Sequence, residues 1–113
     1  MDERLERYVL ELFATEDASL ARIRARHTEA NLPPIHISAD EGKLLHVLLY
    51  AVGARRVLEL GALGGYSGVW MARALPADGE LVTVEMDPRH AQLAREAYRD
   101  AGVGDRVRVI EGA

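Results

Sequence analysis

The sequence contains no cysteine, which excludes disulfide bonds and thiolate metal sites and makes a reducing compartment acceptable. It also lacks any apolar run near the roughly 18 residues that a membrane-spanning helix needs. Its first residues lack the basic start and apolar run of a signal peptide. Basic residues are few, 14 against 18 acidic ones, and the net charge of -4 argues against nucleic acid as the main partner, because phosphate binding needs a basic surface. We therefore expect a cytoplasmic protein that binds neither nucleic acid nor a membrane.

What the sequence does contain is typical of one globular domain. Its 113 residues leave room for no more than one, with 49% hydrophobic and 28% charged residues. The four histidines do not form a metal-ligand pattern. We expect His46 to lie on a buried helix and His27 and His90 to be exposed, each as a packed or solvated side chain rather than a ligand.

A glycine-rich stretch, residues 57–67, organises the rest of the chain. A short apolar run that carries one acid, Glu59, is followed by three glycines and then by a segment with helical spacing. This order predicts a buried strand, a tight turn and a helix, the opening of a nucleotide-binding βαβ unit. The glycines would let the backbone approach a ligand, which a Cβ would obstruct. A glycine-rich turn with no ligand is the alternative.

The spacing around this turn bears on the kind of ligand. The dinucleotide pattern G-x-G-x-x-G fails, because Leu63 stands two residues after Gly61. Instead, Glu59 lies two residues before the first glycine, which suits a ligand that brings a cationic group to the strand end. S-adenosylmethionine has an ammonium and a sulfonium group and no phosphate. Ser67 falls in the first turn of the helix, where it either holds the methionine carboxylate or only caps the helix.

A second acid, Glu85, ends the next predicted strand, 24 residues after Gly61. A carboxylate at that place can accept hydrogen bonds from both hydroxyls of an adenosine ribose. Nicotinamide dinucleotides require the same acid, so Glu85 supports a ribose without choosing the cofactor. Asp87 and Pro88 follow as the N-cap and the first residue of a helix.

Hydrophobic spacing and capping residues predict three helices followed by β-α-β-α-β. Thr15 is the expected N-cap of the second helix, and Pro33 and Pro34 stop it. Ser38 and Glu41 form a capping box before the third helix, whose broad apolar face predicts burial. The expected helices are about 2–14, 16–30, 39–52 and 66–75, and a fifth that starts at Pro88 and ends before Gly102. A short extended segment is expected at 35–37, and strands are expected at 57–60, 81–85 and 107–110.

The connections between the strands predict the order of the sheet. Right-handed crossovers place the second strand beside the first and the third outside it, an order of 3-2-1. The first strand then sits at the switch point, and its other edge needs a fourth strand that the sequence does not supply. An apolar parallel strand with an open edge invites pairing with another chain. We therefore expect an apparently truncated half of a doubly wound sheet that forms a homo-oligomer such as a dimer or pairs with a missing half.

About seventy per cent of the chain, residues 35–113, resembles the class I S-adenosylmethionine-dependent O-methyltransferases, the group that holds catechol and caffeoyl-CoA O-methyltransferases. The resemblance implies a Rossmann-like α/β fold, with an N-terminal helical segment at 1–34 and a cofactor-binding half-domain at 35–113. It also implies an enzyme that transfers a methyl group to a hydroxyl of a small phenolic or catechol acceptor. The segments that carry the resemblance are residues 35–42, 58–67, 84–88 and 109–113.

The resemblance also implies which residues hold S-adenosylmethionine. Glu59 and Gly61 would line its methionine part, with Tyr66 beside them. Ser67 would hold its carboxylate, and Glu85 its ribose. The remaining expected contacts are Gly65 in the turn, Ile37 over the methionine, Met86 packed on the adenine (a core methionine being the alternative) and Gly112 and Ala113 beside the adenine.

Family members are roughly twice as long as this chain. The resemblance places their divalent-metal ligands, for an ion such as Mg²⁺, and their proton-accepting lysine in the half that has no counterpart here. We therefore assign no metal ligand and no catalytic residue from the sequence. Two other functions stay open, a non-catalytic half-domain that binds the cofactor or a partner chain, and a fragment of a nicotinamide-dependent oxidoreductase.

Overall fold

A computed structural model describes residues 2–32 and 37–112 of the chain. The predicted order of three helices followed by β-α-β-α-β is confirmed. The elements are α1 (Glu3–Phe13), α2 (Ala18–Glu29), α3 (Ala39–Ala51), β1 (Arg56–Leu60), α4 (Tyr66–Ala72), β2 (Glu80–Glu85), α5 (Pro88–Asp100), a short 3-10 turn (Gly104–Arg106) and β3 (Val107–Glu111). The predicted helix stop at Pro33 and Pro34 lies outside the described residues, as does most of the extended segment at 35–37.

The three strands form one parallel sheet with β2 in the middle, so the predicted order of 3-2-1 is confirmed. The ladder continues past the ends of two strands. The N–H of Gly61 donates to the carbonyl of Val84 at 2.7 Å, and the N–H of Gly112 donates to the carbonyl of Glu85 at 3.0 Å. These bonds fix where the turns after β1 and β3 leave the sheet, on the same carboxyl edge.

Local capping signals explain most helix boundaries. The Ser38–Glu41 capping box is present at the start of α3, and Gly53 follows that helix with a left-handed φ of 64°. The predicted N-cap of α2 is wrong. Asp17, not Thr15, accepts from the N–H of Leu20 at 3.0 Å, because the helix begins two residues later than its hydrophobic pattern suggests.

Helix α4 ends at Ala72 rather than at the predicted residue 75. The N–H of Ala74 donates to the carbonyl of Met71 at 3.0 Å, and the N–H of Leu75 donates to that of Ala72 at 3.1 Å. Hydrogen bonds to the third residue back tighten the chain out of the α-helix in its last turn.

The core lies on one face of the sheet. Helices α4 and α5 pack there against the inward side chains of the strands, and α2 packs on these two helices. Among the largest side chains of this core are Leu20, Val69, Trp70, Leu81 and Tyr98. No helix within the described ranges is long and apolar enough to cross a membrane.

Among the described residues the opposite face of the sheet is largely uncovered, and we call it the bare face. Leu58, Leu60 and Ile110 project from it and are exposed, although the strands of parallel sheets are usually covered on both faces. Helix α1, all of whose residues are described, has no buried side chain.

The predicted burial of α3 is wrong, because Gly42 is its one buried residue and all of the helix is described. Gly42 lies so close to the Trp70 ring that a Cβ would come within 2.3 Å of it. Only that side of α3 packs on α4, while Leu44, Val47 and Leu48 are exposed.

Candidate cofactor-binding site

The turn between β1 and α4 contains three residues with left-handed backbone, Gly61 (φ 92°), Leu63 (φ 52°) and Gly65 (φ 91°). A Cβ on Gly61 would meet no atom within 4 Å, so the space beside its backbone is open. A Cβ on Gly64 would instead meet the His27 ring at 2.0 Å, and one on Gly65 would press on α5 at 3.2–3.3 Å. Open space for a ligand therefore lies beside Gly61, while the other two glycines allow close packing on α2 and α5.

A cavity of about 510 Å³ opens beside this turn, at the carboxyl ends of β1 and β2. Its size is in the usual range for small-molecule sites, and its place is the ligand crevice of open α/β sheets. It brings together six residues predicted from the sequence, Ile37, Glu59, Gly61, Tyr66, Ser67 and Glu85. It is completed by His27, Leu45, Leu60, Ala62, Leu63 and His90.

Glu59 supplies a partly buried carboxylate to the cavity. Thr83 Oγ1 donates to its Oε1 at 2.9 Å, and Ser67 Oγ donates a short hydrogen bond to its Oε2. Burial raises the pKa of Glu59 above its usual value, the two hydroxyl donors oppose this, and the nearby Glu85 carboxylate adds to it. A carboxylate held in this way is stabilised by a cation that comes within contact distance.

Glu85 links the two turns that border the cavity. Its buried carboxylate accepts from the N–H of Leu63 at 2.8 Å and from the N–H of Asp87 at 2.9 Å. His90 Nδ1 lies 3.8 Å from the same group. An ionised carboxylate has about four acceptor positions, so the two hydrogen bonds from backbone N–H groups leave capacity for ligand hydroxyls.

Tyr66 is buried at the start of α4 and is one of the residues that line the cavity. Its hydroxyl donates to Glu16 Oε2 at 2.5 Å, and Arg24 Nη2 lies 2.5 Å from the other oxygen of Glu16. Burial, followed by the hydrogen bond to Glu16, raises the pKa of Tyr66 above its usual range. The phenol is therefore a fixed, protonated donor.

His27 is buried, so its predicted exposure is wrong. Its ring packs on Gly64 and lines the cavity. The sequence carried a signal for this position, because Leu20, Ile23 and His27 recur at helical spacing and all three are buried. His90 is also partly buried in the cavity wall, with Nε2 3.4 Å from Asp87 Oδ2.

Three other predicted contacts, Gly65, Met86 and Gly112, are not among the residues that line the cavity. Met86 is 73% exposed, so the alternative of a core methionine is wrong. Gly65 packs on α5, and Gly112 is exposed at the end of β3. Ala113 lies outside the described residues. In the part of the chain that is described, no cluster of three or more His, Asp or Glu could hold a metal ion.

Known proteins match this chain over nearly its whole length. The family model described as O-methyltransferase matches residues 10–113. Catechol O-methyltransferase of Mycobacterium tuberculosis is 47% identical over 97 residues, covering 86% of this chain and 44% of that protein. The chain spans about half the length of the curated relatives it matches.

Solved structures show the same fold. An O-methyltransferase from Bacillus cereus in complex with SAH superposes with a TM-score of 0.93 at 38% identity, over 97% of this chain and 50% of that one. The O-methyltransferase TomG from Streptomyces achromogenes, involved in tomaymycin synthesis and solved with SAM, also gives 0.93, at 41% identity over 100% of this chain and 53% of that one. The Rossmann-like methyltransferase fold is therefore confirmed.

Proposed function

Because the chain belongs to the family of S-adenosylmethionine-dependent O-methyltransferases, we propose that it binds S-adenosylmethionine in the cavity at the end of β1. In this proposal it contributes the cofactor-binding half of an enzyme that methylates a hydroxyl of a small phenolic or catechol acceptor. The observation that carries the proposal is the partly buried Glu59 carboxylate, which lies in an open crevice beside Gly61 without a basic side chain among its hydrogen-bond donors in the described residues.

The residues of the cavity fit the charges of this cofactor. Glu59 would accept the ammonium group, and Glu85 would use its free acceptor positions for the ribose hydroxyls. The Ser67 hydroxyl already donates to Glu59, so it must turn away from Glu59 before it can donate to a carboxylate. Gly61 and Ile37 would line the methionine part. The roles of Gly65, Met86, Gly112 and Ala113 stay predictions.

When bound, the cofactor supplies a methyl group on a sulfonium, which a substrate oxygen can attack. The residues of this chain would orient the cofactor and exclude water around it, so their contribution is proximity rather than proton transfer. We assign no catalytic base and no metal-binding residue to this chain.

The proposed location of the protein is the cytoplasm. The division into an N-terminal helical segment at 1–34 and a cofactor-binding half-domain at 35–113 stays a prediction.

The partner proposal rests on the bare face and open edge of the sheet. Leu58 and Leu60 are exposed on β1, whose outer edge is unpaired within the described residues. A second copy or a complementary polypeptide that adds a strand beside β1 would pair the open edge, and a helix carried with that strand would cover the two leucines. Light scattering over a concentration series tests this proposal. A monomer that unfolds cooperatively at every concentration would contradict self-association.

A calorimetric titration with S-adenosylhomocysteine tests the cofactor assignment, with NADH as the control. We expect saturable binding of S-adenosylhomocysteine alone. Binding of NADH alone would favour the oxidoreductase alternative. The bare face of the sheet favours a second candidate, a half-domain that binds the cofactor without catalysis, and methyl transfer to a catechol by the purified chain would contradict it.

A further inference from the structure

We infer that Glu16 is a positioning residue for the cofactor site, acting through the hydroxyl of Tyr66. This inference rests on the proposed function, because it concerns affinity for the same cofactor. Glu16 lies in the segment between α1 and α2, 50 residues before Tyr66 in the sequence and outside the cavity wall. It would set the geometry of the wall without touching the ligand.

The carboxylate of Glu16 is held at both oxygens. Oε2 accepts from the Tyr66 hydroxyl at 2.5 Å, and Oε1 lies 2.5 Å from Arg24 Nη2. Only 12% of the Glu16 side chain is exposed, so solvent screens these bonds little. Arg24 comes from the second turn of α2 and contacts the carboxylate oxygen that the phenol does not bind.

Asp17, the residue after Glu16, binds the C-terminal end of α4, the helix that begins with Tyr66. Asp17 caps α2 and also accepts from Arg73 Nη2 at 2.7 Å, and Arg73 is the C-cap of α4. Two consecutive acids thus bind α4 at both ends. The start of α2 therefore fixes the position of the helix that follows the glycine-rich turn.

The position of Tyr66 matters to the site for two reasons. It follows Gly65, whose left-handed backbone ends the turn, and it is one of the residues that line the cavity. A buried phenol requires a hydrogen-bond partner. Without the Glu16 acceptor, the hydroxyl must find another acceptor or reach water, and either change shifts Tyr66 at the start of α4, where it lines the cavity.

The test is a double-mutant cycle read out by calorimetric titration with S-adenosylhomocysteine. The four proteins are the unaltered 113-residue chain, Glu16→Ala, Tyr66→Phe and the double variant. We expect each single variant to bind about three- to tenfold more weakly and the double variant to bind no more weakly than Tyr66→Phe, since both changes remove one interaction. Glu16→Gln, which keeps an oxygen acceptor, should retain most of the affinity.

Glu29→Ala is the matched control, because Glu29 is an exposed acid at the far end of α2. It should bind like the unaltered chain. Thermal melts of all variants separate stability from binding. A lower melting temperature with unchanged affinity in Glu16→Ala and Glu16→Gln would overturn the inference, as would additive losses in the cycle. No binding by the unaltered chain would overturn the proposed function and this inference together, whereas binding by all variants alike would overturn the inference alone.

Discussion

The two faces of the three-stranded sheet are made of similar residues but have opposite surroundings. Leu81 on the helix-covered face is 0% exposed, whereas Leu60 on the bare face is 79% exposed. Both belong to short apolar runs in parallel strands, where side-chain alternation gives little indication of which face is covered. The difference teaches that burial in this chain is decided by where the helices pack. The cofactor cavity lies where the covered face meets the carboxyl edge of the sheet.

The largest expected effect separates the two faces directly. Leu81→Ala should lower the free energy of unfolding by about 2–5 kcal/mol, because it leaves a cavity in a packed core. In the monomer, at low protein concentration, Leu60→Ala should change it by less than about 0.5 kcal/mol, because that side chain is then in water. Urea denaturation at several protein concentrations measures both. Equal losses would mean that the bare face is covered in solution.

The next effect lies where the covered face meets the glycine-rich turn. Gly64→Ala should destabilise the chain by about 1–3 kcal/mol, because its Cβ would fall 2.0 Å from the His27 ring. His27→Ala in the same chain should restore part of that loss by removing the ring. Urea denaturation of the two single variants and the double variant measures the coupling. Additive losses would show that the His27 ring does not limit space at Gly64.

Glu59 should show opposite effects on stability and binding. Glu59→Gln removes a partly buried charge, so stability at neutral pH should be unchanged or higher, while affinity for S-adenosylhomocysteine falls about 10- to 100-fold with the lost charge-assisted bond. Melts and calorimetry measure the two quantities. Unchanged affinity would remove Glu59 from the site.

The difference in stability between the unaltered chain and Glu59→Gln should depend on pH, and the direction of the change can be predicted. Because burial raises the pKa of Glu59 in the folded chain, the folded state binds the proton more tightly than the unfolded state. The stability of the unaltered chain relative to Glu59→Gln should therefore rise as the pH falls from 7 through the raised pKa toward the usual value of 4.5. A fall over that interval would contradict the assignment.

The smallest effect belongs to the outer surface of the covering helices. Arg22 on α2 binds Asp100 at the end of α5 at 2.8 Å, and this hydrogen bond lowers the pKa of Asp100. Asp100→Asn should lower the melting temperature slightly at neutral pH, and less at high salt, because exposed ion pairs are screened. The difference from the unaltered chain should disappear as the pH falls below the usual Asp value of 3.8. A difference that persists in acid would rule out the ion pair as its cause.

The fold was predictable because its signals are local. The Ser38 capping box, the glycine after α3 and the Asp87-Pro88 start of α5 each act within a few residues, and the handedness of crossovers then fixes the sheet order. The cavity position, with Glu59, Gly61, Ser67 and Glu85, followed from the strand ends and the glycine-rich turn. Ile37 and Tyr66 were implied by the resemblance to the family.

The rest depended on contacts between distant parts of the chain. Glu16 meets Tyr66 across 50 residues, and His27 meets Gly64 through the packing of two helices. The exposure of Leu44 could not be predicted either, because a broad apolar helix face does not reveal how much of it a neighbouring element covers. Periodicity identifies apolar faces, but their burial is a property of the assembled fold.

The parallel pairing of the strands also bears on the order in which the chain assembles. Leu58 pairs with Val82, and Val82 pairs with Arg108, so each pairing closes a loop of about 25 residues that contains its own helix. Such moderate loops keep the entropy cost of each closure similar. Once residue 85 has left the ribosome, β1, α4 and β2 are all available. We expect the sheet to grow from β1 outward, one strand and one helix at a time, during synthesis.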